Sequence, residues 1–69
     1  MVITTKKRMS DGTVFRIYDD LPYMGHYYTI EYLQVFNDHF HAWYPIEDTP
    51  KRIPTLEQAY AMLNELTED

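Results

Sequence analysis

The side chains best suited to chemistry are three histidines and a short run of cations. His39-x-His41 puts two imidazoles at alternate positions, which share one face when the chain is a strand, and His26 lies upstream. A zinc centre needs three or four ligands, and a catalytic one keeps a position open. The chain has no cysteine, and spacing fixes no third ligand. The pair is therefore expected to be a polar, half-exposed pair beside aromatic rings, with no metal. Lys6-Lys7-Arg8 and Arg16, set beside Tyr32, Phe36 and Trp43, have the composition of a single-strand nucleic-acid platform. Rings of that kind stack on bases while cations track phosphates.

Nothing resembling a catalytic constellation accompanies these groups. Ser10 is the only serine and falls in a turn, and two glycines, Gly12 and Gly25, cannot build a phosphate-cradling loop. The acid pairs Asp19-Asp20 and Glu47-Asp48 stand beside prolines, where acids usually form turns or solubilise loops. No catalytic residue, cofactor or small-molecule substrate is expected, and the chain reads as a non-enzyme.

The elements that must position these residues come from periodicity. Val2 to Met9 and Thr13 to Tyr18 alternate as strands around the turn signal Ser10-Asp11-Gly12. A three-residue loop there pairs Met9 with Thr13 and Lys7 with Phe15. It puts Ile3, Met9, Phe15 and Ile17 on one face and Lys6, Arg8, Val14, Arg16 and Tyr18 on the other. Asp19 to Gly25 reads as a loop. Tyr27 to Phe36 and His39 to Tyr44 form a second hairpin around Asn37-Asp38, both of which accept the left-handed conformation. That register shares Tyr32, Gln34, Phe36, His39, His41 and Trp43 on one face. Leu33, Val35, Phe40, Ala42 and Tyr44 occupy the drier, core-facing side.

Pro45 to Pro54 is an extended connector. Thr55 then caps a helix, with Gln58 completing a Thr-x-x-Gln capping box. Leu56, Ala59, Tyr60, Leu63 and Leu66 form its apolar stripe. The expected fold is α+β: a small antiparallel sheet of three to four strands (two β-hairpins) with one C-terminal helix packed on one face, ββββα, as a single domain over residues 1–69. The outline of strands followed by a Thr-capped helix resembles the small arm-binding domains of phage-type integrases, which depend on a basic sheet. The same outline is common among small bacterial and phage proteins.

Composition then narrows the function. At 69 residues the chain lies near the lower limit for folding without disulfides or metals, so a partner chain would add stability. No apolar run is long enough to span a membrane, and the start lacks a secretory apolar segment, which makes a cytoplasmic location the expectation. The net charge is -5, with the cations concentrated in the first hairpin. Acidity of that size opposes general binding to phosphate backbones, so nucleic acid ranks second among partners. Eight aromatic residues lie between Tyr23 and Tyr44, more ring surface than one sheet face easily hides. Exposed aromatic patches mark contact surfaces. The expected function is a protein-interaction module, either a homodimer or a small adaptor or inhibitor of a larger protein. Its binding surface is Arg16, Tyr18, Tyr32, Phe36, His39, His41 and Trp43.

Overall fold

The computed structural model describes residues 1–19, 27–46 and 52–68. Four strands, β1 (Val2–Lys7), β2 (Val14–Asp19), β3 (Tyr28–Asn37) and β4 (Phe40–Pro45), precede one helix, α1 (Leu56–Thr67). The strands form one antiparallel sheet in the order β1-β2-β3-β4, so the fold is the α+β, ββββα arrangement with one helix on one face. Among the described residues no helix is long and apolar enough to cross a membrane.

Core and solvent sides follow from the alternation on β2. Phe15, Ile17 and Asp19 are buried toward the helix, while Val14, Arg16 and Tyr18 look out on the other side. Ile17 pairs with Ile30 of β3, and both are fully buried with Ile53, Ala59 and Leu63. Ile3, Tyr28, Tyr32, Ile46, Leu56, Met62 and Leu66 pack around this centre.

The helix begins where its sequence signal says. Thr55 Oγ1 accepts the backbone N–H of Gln58 at 3.2 Å, satisfying one of the orphan donors of the first turn. Leu56, Ala59, Leu63 and Leu66 face the sheet, but Tyr60 is exposed and Met62 packs inward in its place. At the other end, buried Thr67 donates its hydroxyl to the Leu63 carbonyl at 2.8 Å.

Both hairpin registers differ by one residue from the sequence expectation, and each turn supplies the reason. In the first hairpin the Arg8 N–H donates to the Thr13 carbonyl and the Gly12 N–H to the Arg8 carbonyl, both at 2.8 Å. Residues 9–12 thus form a four-residue loop closed by Gly12 at φ 77°, a backbone shape that glycine alone takes without strain. Lys7 pairs with Val14 and Lys6 with Phe15. Lys6 and Arg8 are thereby on the helix side, and Met9 stands exposed at the tip.

In the second hairpin the turn is Asp38-His39, and Asn37 pairs with Phe40. The Asn37 side-chain oxygen accepts the His39 N–H at 2.8 Å, the self-bonding that makes Asn a turn initiator. Apart from Gly12 no described residue has positive φ, so the left-handed turn expected at Asn37-Asp38 does not form. A bulge at Phe36, between the Val35–His41 and Asn37–Phe40 pairs, absorbs the mismatch between this turn and the strand twist. Tyr32 consequently pairs with Tyr44, Leu33 with Trp43 and Gln34 with Ala42. The faces of β3 exchange while those of β4 stay as expected, so Leu33 and Val35 leave the helix side. Val35 and Phe40 are exposed and are not core.

The connector does more than span. Ile53 exchanges two backbone hydrogen bonds with Tyr28, each 2.9 Å, and its side chain is fully buried. It flanks the start of β3 beyond the point where β4 ends. Asp19, expected in a loop, is the last residue of β2 and is buried. Asp20, Glu47 and Asp48 lie outside the described residues.

Candidate functional site

Two surfaces of the described sheet bring aromatic groups to solvent. The first is the sheet face away from the helix. There Arg16 Nε donates to Glu31 Oε1 at 2.8 Å across the β2–β3 pair. Its guanidinium lies 4.2 Å from the Trp43 ring centre and 5.3 Å from that of Tyr18. The ion pair is largely covered, at 19% and 17% side-chain exposure. Cation–π contact holds a guanidinium over a ring face, so Arg16, Tyr18, Glu31 and Trp43 form one closed polar-aromatic cluster. His41 shares this face, paired with Val35.

The second surface lies on the helix side, beyond the helix. The helix packs on β1, β2 and β3 and does not reach β4, so the far end of the second hairpin is uncovered. Phe36 lies 5.1 Å from Phe40 and 6.4 Å, edge-on, from Tyr44, and Tyr44 in turn lies 6.0 Å from Tyr32. These centroid separations suit favourable ring pairs. Phe36, Phe40 and Tyr44 are nevertheless 52%, 55% and 40% exposed. Phe36 thus links Phe40 and Tyr44, and the three half-exposed rings form a continuous apolar patch at the tip.

Of the seven residues expected to share one binding face, Arg16, Tyr18, His41 and Trp43 do. Tyr32 and Phe36 are on the opposite side, because the register change carries all of β3 across. His39 sits in the turn rather than on the strand. His26 lies outside the described residues, and no described group of three histidines or acids could hold a metal ion. Phe40 and Tyr44, assigned to the core by the sequence, are the surface residues it missed. The available signal was Asn37, whose turn-initiating side chain moves the loop one residue onward and with it the parity of β3.

Among the described residues, the cations of the first hairpin do not gather into a basic face. Lys6 Nζ donates to Asn64 Oδ1 on the helix at 3.0 Å. Arg8 forms a bidentate pair with Asp11 at 2.6 and 3.0 Å and reaches the Leu66 carbonyl at 3.2 Å. Its guanidinium also lies 5.2 Å from the Phe15 ring centre. Arg8 first, then the Thr13 N–H, holds the Asp11 carboxyl well below the usual carboxylate range. With Arg16 committed to Glu31, Lys7 is the remaining cation that β1 directs to the open face.

The chain matches no protein-family model, no curated protein and no solved structure.

Proposed function

We propose that this chain is a non-enzymatic protein-interaction module whose contact surface is the uncovered aromatic tip of the second hairpin, Phe36, Phe40 and Tyr44. The observation that carries this reading is their combination of mutual ring contact with exposure of 40–55%. A small domain gains from hiding such rings, and nothing in its own helix is placed to do so. Buried aromatic anchors dominate binding energy at interfaces. The Arg16–Trp43 cluster of the other face serves as a rigid backing, since its polar groups are already satisfied by one another.

The test is a Phe36→Ala/Phe40→Ala double variant. A protein partner captured by the wild-type chain is purified and titrated against both forms. Loss of about 2 kcal/mol or more in binding, with the circular dichroism spectrum retained, is the expected result. An unchanged dissociation constant would remove the tip from the contact surface.

A further inference from the structure

Resting on that reading of the aromatic tip, we infer that its partner is a second copy of this chain, joined edge to edge through β4 in an antiparallel pair centred on Ala42. The two free edges of the sheet are built differently. β1 carries Lys6 and Lys7 and an extra residue between Val2 and Thr4 that breaks its ladder. Lysines and bulges are the devices that keep an edge from recruiting another strand. β4 reads Phe-His-Ala-Trp-Tyr-Pro. It has no charged side chain in a chain that is 25% charged, and the bulge of its hairpin sits on β3 instead. The sequence protects one edge and leaves the other apolar and regular.

The backbone of β4 is also self-complementary. Ile46 N–H donates to the Ile30 carbonyl, one step beyond the Glu31–Pro45 pair. Pairs in an antiparallel ladder alternate between bonded and non-bonded, so Ala42 and Tyr44 direct their backbone groups to β3. His41 and Trp43 direct theirs outward. Pro45, which has no N–H, falls at a non-bonded position, as this alternation requires.

A twofold axis at Ala42 then sets His41 opposite Trp43 of the second copy. Those are the residues with outward N–H and C=O groups, and they bond reciprocally on both sides of the axis. Phe40 comes opposite the second copy's Tyr44 on the helix side, twice, with the small Ala42 side chains meeting between them. An isologous contact requires a patch complementary to itself, and this register meets that condition in backbone and side chains together. Moving the axis to Trp43 would set His41 opposite Pro45, which has no N–H to return, and would set Ala42 opposite Tyr44 and Phe40 opposite Ile46, separating the rings. Six half-exposed rings gathered around the axis would bury about 600 Å² of aromatic surface. The paired backbones add the remainder needed to approach the roughly 1,000 Å² of a specific interface.

The absence of cysteine makes a direct test available. Ala42 would face its own copy at a non-bonded position, where Cα atoms approach to about 4.5 Å, within disulfide range. Ala42→Cys should oxidise rapidly to a covalent dimer, whereas Met9→Cys at the exposed tip of the first hairpin should cross-link only at the rate of random collision. His41→Pro removes an outward N–H without touching the β3 ladder. It should keep the monomer's circular dichroism and weaken self-association in sedimentation by at least about thirtyfold. A wild-type dimer that Phe40→Ala dissociates, but that Ala42→Cys does not trap, would overturn the edge pairing and leave the aromatic contact surface standing. A wild-type chain that sediments as a monomer at about 100 μM would overturn the second copy as partner. The contact surface itself would then be decided by the Phe36→Ala/Phe40→Ala titration.

Discussion

Ile53→Ala is the perturbation that separates this architecture from the one its sequence suggests. Ile53 lies in a proline-rich connector outside every named strand, yet it is fully buried and doubly bonded to Tyr28. Truncation removes three carbons from the core, a transfer loss of roughly 2.4 kcal/mol. The cavity left behind raises this to about 3–4 kcal/mol, because the bonded backbone resists collapse around it. A domain of this length is stable by about 3–10 kcal/mol in total, so the variant should sit close to its folding threshold. Phe40→Ala is the comparison, since that ring belongs to the core in the sequence-derived register. At 55% exposure its truncation should cost only about 1 kcal/mol in the monomer. Urea unfolding followed by circular dichroism and by the fluorescence of the single tryptophan measures both, at concentrations low enough to suppress association. If Phe40→Ala costs more than Ile53→Ala, the connector does not close the core and the register of the second hairpin is wrong.

Further outcomes follow from the surface clusters and the helix cap. Asp11 should remain ionised at pH 3 by NMR titration. Its lowered pKa makes its contribution to the first turn complete above the ordinary carboxylate pKa of about 4, lost only as pH falls toward its folded value. A normal Asp11 titration would dissolve the Arg8–Asp11 pair. A double-mutant cycle on Arg16→Ala and Glu31→Ala should give a coupling of about 1 kcal/mol. Arg16→Ala alone should shift Trp43 emission to the red as the ring gains water, and an unmoved spectrum would refute the stacking. Thr55→Ala should cost about 1 kcal/mol in urea unfolding through loss of the N-cap, and a neutral result would remove that bond.

How much of this was legible depended on whether the signal was local. The helix was, because Thr55 and Gln58 mark its start and Leu56, Ala59, Leu63 and Leu66 repeat at its period. The strands were, because alternation over Val14–Asp19 and Tyr28–Asn37 survives any choice of partner. Register was not. It hangs on a single residue in each turn, on whether Gly12 closes three residues or four and whether Asn37 enters the loop or initiates it. A side chain has only two faces to choose from on a strand, so one residue of error moved Lys6, Arg8, Tyr32 and Phe36 across the sheet together. Ile53 was hidden for a different reason, since a lone apolar residue beside Pro54 carries no periodicity. The candidate surface was therefore half readable: Arg16, Tyr18, His41 and Trp43 kept their face, Tyr32 and Phe36 did not, and His39 fell in the turn.

The Tyr28–Ile53 bridge bears on the order in which the chain folds. The β1–β2 and β3–β4 pairs each join neighbours in sequence through a short turn, so each of these hairpins can zip on its own after a small loop closure. The bridge must wait for a longer excursion of chain to return, and together with the packing of α1 on β1, β2 and β3 it brings the helix-bearing segment to the sheet. Until it closes, the hairpins present Ile17 and Ile30 to water. Hydrogen exchange at the amides of Ile53 and Tyr28 should thus report the rate of core completion, while the amides of Leu33 and Gln34 acquire protection earlier with the hairpin.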